Sequence, residues 1–157
     1  MAYRISRNIE GSIIEWLQAA VDADWASFNI RIVKAFTQVY NGSLPVFCVQ
    51  VITPNPTKLE IGSATWLRNI EVSIRIFAQE DGARLDLSDW LLEKIESSIP
   101  YYSYTVSNGS VSEKVLSGKI NVNTILRDEK ELVNLENLEQ ADKFRHIISF
   151  LCRVATS

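Results

Sequence analysis

Hydrophobic and polar residues alternate most regularly between Trp66 and Gln79. The apolar side of that run consists of branched residues, namely Ile70, Val72, Ile74 and Ile76. Because successive side chains of a strand point to opposite faces of a sheet, this pattern predicts a long strand with one buried face. The closing run from Phe144 to Val154 alternates in the same way and predicts another long strand.

Two segments have helical spacing instead. In the segment Ile5–Asp22 the apolar stripe is formed by Ile9, Ile13, Trp16, Leu17 and Ala20. In the segment Asp81–Ile99 it is formed by Leu85, Leu91, Leu92, Ile95 and Ile99. Both predict amphipathic helices. Ser6 and Asp81 are the expected N-terminal caps, and Pro100 is expected to end the second helix because its ring cannot continue the hydrogen-bond ladder.

Shorter runs fill the spaces between these elements. Phe28 to Tyr40 suits a strand or a helix, and its β-branched and aromatic residues favour a strand. The apolar run from Pro45 to Thr53 predicts a strand buried on both faces, which Pro54 and Pro56 would end.

The C-terminal half adds two more runs with strand character, Tyr101–Val106 and Lys119–Leu126. The polar residues 107–117 between them predict a loop, with Asn108-Gly109 as a tight turn. The whole pattern predicts one α+β domain over residues 1–157: a mostly antiparallel sheet of about five long strands with two amphipathic helices packed on it.

The segment 128–142 differs from the rest of the chain. It contains six acidic residues and one lysine, with leucine at every third position from Leu132 through Leu135 to Leu138. Because a solvated acidic stretch does not normally expose leucines, we expect an extended arm or long loop whose leucines dock on another surface.

Charge and composition limit the classes of function. Hydrophobic residues make up 46% and charged residues 22% of the chain, which is typical of a soluble globular domain. The chain has neither a membrane-spanning apolar run nor a signal-peptide pattern. Residues 1–79 hold seven Lys/Arg and six Asp/Glu, whereas residues 80–157 hold nine and thirteen. A basic stripe is missing, which disfavours a protein that grips nucleic acid.

Catalytic signatures are equally scarce. The single histidine, His146, lies on the apolar side of the closing run, where a structural role is more common than a catalytic one. Glycine-rich phosphate loops and nucleophile elbows are absent. Asp81, Asp86 and Asp89 could in principle bind a metal, but a solvated helix face explains them better. We therefore predict no catalytic, cofactor-binding or metal-binding residue, and no enzyme.

Two cysteines, Cys48 and Cys152, lie in apolar strand-like runs. Two buried small hydrophobes is the favoured interpretation, and a disulfide between neighbouring strands stays open. Most of the four tryptophans are expected to anchor the core, with Trp66, beside Arg68, as the best candidate for an exposed interface anchor.

The layout resembles the tail terminators and head–tail joining proteins of the neck of long-tailed bacteriophages. The resemblance covers nearly the whole chain, and the segments that carry it are Asn29–Phe36, Leu59–Ser63, Ile74–Ala78, Arg84–Leu91, Tyr101-Tyr102 and Arg145–Phe150. It implies a structural virion protein of the tail or neck, assembled in the host cytoplasm. It also implies a ring, commonly of six subunits, that stops growth of the tail tube and docks to the head connector. Genomic DNA would pass through its channel without specific binding, and no cofactor or membrane would be involved.

On this view the subunit contacts would come from Trp66, Arg68, Asn108, Leu132, Leu135 and Leu138. Asn108 stands for the 107–117 loop, and the leucines stand for the 128–142 arm. Other interpretations remain: another neck component such as a stopper or adaptor ring, or a monomeric α+β module that binds a ligand in a concave apolar pocket.

Overall fold

A computed structural model describes residues 5–58, 66–95, 98–131 and 143–156, with side chains throughout except at Phe36, 53–58, 66–68 and Thr156. A short 3₁₀ turn, Ala26–Phe28, follows the first helix. The helices are α1 (Ile5–Asp24), α2 (Phe36–Val39) and α3 (Asp81–Ile95). The strands are β1 (Arg31–Val33), β2 (Val46–Lys58), β3 (Trp66–Phe77), β4 (Ile99–Ser107), β5 (Ser110–Lys130) and β6 (Arg145–Thr156).

The described strands form one six-stranded sheet in the order β1-β2-β3-β6-β5-β4. All neighbours run antiparallel except β1 and β2, which run parallel. The α+β class is confirmed, but the sheet has six described strands and mixed polarity rather than about five antiparallel ones. Parallel pairing at β1 is possible because the chain crosses over through α2 before it enters β2.

The strand predicted over Phe28–Tyr40 is wrong for most of its length. Only Arg31–Val33 is a strand, and Phe36–Val39 is the short helix α2. Asn29 has a positive φ of 51°, which ends the preceding 3₁₀ turn. Such short pieces give too few repeats for a periodicity to identify them.

The core lies between α1, α3 and one face of the sheet. The predicted stripe of α1 is confirmed by Ile9, Ile13 and Leu17, all fully buried, while Ser6 lies inside the helix rather than at its cap. The predicted apolar face of β3 is also confirmed, because Ile70, Val72, Ile74 and Ile76 are fully buried.

The predicted stripe of α3 is only partly right. The helix ends at Ile95, Leu85 is 46% exposed, and Ile99 belongs to β4. The buried stripe is formed by Arg84, Leu87, Ser88, Leu91 and Ile95. Because two of these five residues are polar, a search for apolar periodicity finds only part of the buried face, here Leu91 and Ile95.

Pro54 and Pro56 do not end β2, which continues to Lys58. The strand β1 pairs only with Val46–Cys48, so beyond that point β2 has a described neighbour on one side alone. Proline is tolerated at such an edge because no partner needs its missing N–H. The first part of β2 is buried on both faces, as predicted.

The predicted loop 107–117 is wrong as well. Only Asn108-Gly109 forms the turn, and Ser110 begins the 21-residue strand β5, which runs on to Lys130. The first residues of the predicted arm 128–142 belong to β5, since Asp128–Lys130 pair with β6, and residues 132–142 lie outside the described part. The predicted strand Lys119–Leu126 is confirmed as the middle of β5. The ends of β5 on either side of it are almost wholly exposed, so they lack the alternation that marks a half-buried strand.

Candidate assembly interface

A hairpin made of β4 and β5 lies at one edge of the sheet, next to α1. Its two-residue turn, Asn108-Gly109, has positive φ at both positions (51° and 80°), which the Asn-Gly pair accommodates readily. The hairpin exposes apolar side chains near this turn: Val111 is 55%, Val115 51% and Leu116 62% exposed. Asn108, predicted as an interface residue, lies exposed at the tip.

Helix α1 covers the outer edge of β4 with polar side chains. The Ser12 hydroxyl accepts a hydrogen bond from Tyr102 N at 2.9 Å and donates to Asn8 O at 2.6 Å. Asn8 accepts from Tyr104 N through Oδ1 at 3.3 Å and donates to the Tyr101 hydroxyl at 3.2 Å. The backbone donors of this edge are thus satisfied by helix side chains instead of another strand.

Sequence reasoning did not find this contact. Its signal is the pair Asn8 and Ser12, one helical turn apart and next to the apolar stripe of α1. Gly11 lies beside them, and a Cβ there would come within 2.9 Å of the Tyr104 ring. The close approach of helix to strand therefore needs a glycine at this position.

Lys114 joins the hairpin to the same helix. Its Nζ lies 3.0 Å from Glu15 Oε2 and 4.6 Å from the centre of the Tyr102 ring. The hydrogen bond to Glu15 raises the pKa of Lys114, and burial raises the pKa of Tyr104 to about 12. Both groups therefore keep their usual charge at neutral pH.

The far end of β5 is anchored by a buried histidine. His146 is only 5% exposed; Arg84 Nη1 lies 2.7 Å from its Nδ1, and Asp128 Oδ1 lies 2.7 Å from its Nε2. A guanidinium can only donate, so Nδ1 accepts and the ring proton lies on Nε2, which donates to Asp128. Both nitrogens are occupied, which supports the structural role expected for this histidine.

Asp81 completes this cluster by accepting from Arg84 Nε at 2.8 Å, and the contact lowers the pKa of Asp81. The carboxylate expected to cap α3 is thus the first residue of the helix and neutralises a buried arginine. Within the described part of the chain, no group of three or more His, Cys, Asp or Glu side chains could hold a metal ion.

The opposite face of the sheet carries a second ionic cluster. Glu131, at the end of β5, accepts from Arg75 Nε at 3.0 Å and from Arg145 Nη2. Arg75 also donates to Gln50 Oε1 and Ser73 Oγ. Two residues of the predicted arm, Asp128 and Glu131, are therefore held in place by the sheet.

The cysteines do not pair. Cys48 and Cys152 are free and fully buried, which confirms the favoured interpretation and closes the disulfide alternative. Burial raises the pKa of Cys48 to about 11 and that of Cys152 to about 12, so neither is a reactive thiolate at neutral pH.

Trp25 and Trp90 anchor the core edge, with ring centres 6.0 Å apart, and Trp90 Nε1 donates to Asp24. Trp66 and Arg68, two predicted interface residues, begin β3, but their side chains lie outside the described part. The three predicted arm leucines, Leu132, Leu135 and Leu138, also lie outside the described residues.

The distal part of β5 borders an open groove next to the C-terminal end of α3. The groove has a volume of about 360 Å³ and is lined by Leu92, Ile95, Ile120, Val122 and Ile125, among others.

No family model matches the chain, and no curated protein matches it. In the described residues, no helix is long and apolar enough to cross a membrane.

Proposed function

We propose that this protein is a structural virion protein of a tailed bacteriophage, a tail terminator that forms a ring at the head-proximal end of the tail tube. The ring would stop tube growth and present a docking face to the head connector. The resemblance seen in the sequence motivates the proposal. The structural observation that supports it best is the set of exposed apolar side chains on the β4–β5 hairpin.

The hairpin is suited to contact a neighbour rather than to complete its own fold. Val111, Val115 and Leu116 are each more than half exposed, so the isolated chain gains little from them. The hairpin is nevertheless joined to α1 by the Lys114–Glu15 ion pair and by the Ser12 contact. An ordered strand pair that carries exposed apolar side chains is typical of an assembly surface.

The described residues also offer little to a competing enzymatic function. His146 has both ring nitrogens bound to charged partners, and the cysteines are buried and protonated. The acidic balance of residues 80–157 is compatible with a channel that DNA crosses without sticking, since phosphates are repelled rather than bound.

The test is the mass of the purified protein across a concentration series, with negative-stain images of each sample and of a mixture with purified tail tubes. We expect closed rings with a central hole, alone or on tube ends. A monomer at every concentration that also fails to bind tube ends would contradict the proposal. Rings that bind portal or adaptor complexes instead of tubes would move the protein to another neck position.

DNA binding provides an independent check. We expect no retention of duplex DNA by the protein at ordinary salt. Tight binding that weakens steeply with added salt would contradict a channel through which DNA slides, because that dependence reports phosphate contacts.

A further inference from the structure

A small pocket, called here the aromatic pocket, lies between the end of α1 and the beginning of α3. Most of its lining is aromatic or aliphatic, namely Trp25, Phe28, Ile30, Pro45, Ala83 and Leu87. Its volume is about 120 Å³. Pockets that hold cofactors or other small molecules usually measure about 300–1,000 Å³, so this one suits a single side chain of a partner instead.

The aromatic side of this pocket is built by contacts within the fold. The ring of Trp25 is packed edge-to-face against Phe28, with centres 5.1 Å apart, and against Trp90, with centres 6.0 Å apart. Trp90 is held in turn by its hydrogen bond to Asp24. Phe28 is nevertheless 54% exposed, so much of its ring is available to a partner without any rearrangement of the core.

Two carboxylates, Glu80 and Asp86, complete the lining of the aromatic pocket. Both residues are exposed, and neither forms an ion pair with a described residue. Residues 79–93 hold five acidic residues, and the one basic residue among them, Arg84, is buried and paired with Asp81. The negative charge beside the pocket is therefore not balanced locally, which favours a cationic occupant.

The same pocket residues include a hydrogen-bond donor that lacks an acceptor. Trp25 Nε1 is buried and has no hydrogen-bond partner among the described residues, whereas Trp90 Nε1 donates to Asp24. Buried donors in folded proteins are normally bonded, so an occupant that brings an acceptor is favoured. A polypeptide carries a carbonyl oxygen at every residue, whereas a simple inorganic or organic cation carries no acceptor.

We propose that the aromatic pocket binds an arginine side chain of a partner polypeptide. The guanidinium lies against the rings of Trp25 and Phe28, which attract cations, and donates to the carboxylates of Glu80 and Asp86. Arginine fits better than lysine because its planar, weakly hydrated guanidinium stacks on rings and presents several donors at once. This inference goes beyond the proposed function and does not rest on it, since the site lies within one chain.

An NMR titration with N-acetyl-argininamide tests the proposal. The four tryptophans give four indole N–H signals, and Trp25→Phe identifies the signal of Trp25 by its loss. We expect a saturable shift of this signal with a dissociation constant on the order of 1 mM. N-acetyl-citrullinamide, which has nearly the same shape but no charge, should bind about tenfold more weakly. The absence of a saturable shift up to about 20 mM would overturn the proposal, as would equal binding of the citrulline or lysine analogue.

Matched substitutions locate the bound cation, and urea midpoints check that each variant is folded. Glu80→Gln, Asp86→Asn and Phe28→Leu should each weaken binding about threefold, since exposed charge pairs and cation–π contacts are modest. Asp89→Asn removes the same charge from the same helix outside the pocket and should bind like wild type. Equal weakening by Asp89→Asn would overturn the proposal, because it would report only the general acidity of α3.

The outcomes separate this inference from the proposed function. Arginine binding by a chain that forms no ring and does not bind tail-tube ends would support the pocket and contradict the tail terminator. Rings on tail-tube ends, together with no arginine binding, would overturn the pocket and leave the terminator proposal standing.

Discussion

Two strand edges on the same side of the sheet differ in how they are covered: the outer edge of β4, and the edge of the distal half of β5 (Asn121–Lys130), which pairs with β6 alone among the described strands. Along β4, helix α1 supplies Asn8 and Ser12, which bind the outward-facing backbone N–H groups of Tyr102 and Tyr104. Along the distal half of β5, no described element does so, and the residues are exposed. The comparison shows that side chains of α1 can satisfy a strand edge, and that no described element does the same along the distal half of β5.

Removing the cover from β4 should have the largest effect. The double substitution Asn8→Ala and Ser12→Ala leaves two partly buried backbone donors without acceptors, so we expect the free energy of unfolding to fall by about 2–4 kcal/mol. Urea unfolding measures this loss, and amide exchange at Tyr102 and Tyr104 should accelerate. Ser112→Ala, which removes an exposed hydroxyl from the hairpin, is the control and should change stability little.

An unchanged stability in the double variant would mean that water satisfies this edge as well as α1 does. The contrast between the two edges would then disappear. Increased self-association of the variant would sharpen the contrast, because a second open edge would have been created.

Releasing the anchor of distal β5 should have a smaller effect. Asp128→Ala leaves the buried Nε2–H of His146 without its acceptor, which costs about 1–3 kcal/mol. Glu129→Ala is the matched control, since Glu129 is its exposed neighbour and pairs only with Arg127 among the described contacts. Thermal or urea unfolding of both variants measures how much this cluster contributes to the free energy of unfolding. Equal stabilities would show that the contact between Asp128 and His146 contributes little.

The fit of α1 on β4 can be tested through two helical glycines. A Cβ added at Gly82 on α3 would meet no atom within 4 Å, so we expect Gly82→Ala to raise the free energy of unfolding by about 0.5–1 kcal/mol through helix propensity. Gly11→Ala has the same propensity gain but must displace the Tyr104 ring, which we expect to outweigh it by about 1 kcal/mol. Urea midpoints compare the two, and a gain at Gly11 would show that the contact with β4 is loose.

Sequence patterns predicted the elements that have one buried face. The strand β3, the helix α1 and the strand β6 each bury alternate or helically spaced residues, so their periodicity is visible. The middle of β5 was predicted as the strand Lys119–Leu126, but its two ends were missed, because they are almost wholly exposed and only their pairing with β4 and β6 makes them strand. Predicting that pairing requires contacts between residues far apart in sequence.

Only part of the candidate interface could be predicted from the sequence. The turn at Asn108-Gly109 was visible because its dihedral angles demand those residue types. The uncovered edge of the distal half of β5 could not be predicted from the sequence, because it depends on where the neighbouring strand β4 begins. The buried face of α3 was predicted only in part, because Arg84 is buried by its contacts with His146 and Asp81, which no apolar pattern reveals.

The smallest expected effect concerns the acid sensitivity of the side of the molecule that carries the open edge. The contact with Arg84 lowers the pKa of Asp81 below its ordinary value of 3.8, so the ionised carboxylate is the form that the fold favours. Its contribution to stability is present above the ordinary pKa and is lost as pH falls through the lowered value in the folded protein. Asp81→Asn should therefore be less stable than wild type at pH 7.

That difference should vanish at a pH below the lowered pKa of the folded protein, where the carboxylate is protonated in both states. Urea midpoints of wild type and Asp81→Asn at the two pH values provide the measurement, with Asp86→Asn, an exposed position on the same helix, as control. Because Asp81 is half exposed, solvent screens the pair and the effect should be small. A difference that persists undiminished at acid pH would show that Asp81 acts through its place in the first turn of α3. The ion pair with Arg84 would then contribute little to holding His146 and the end of β5.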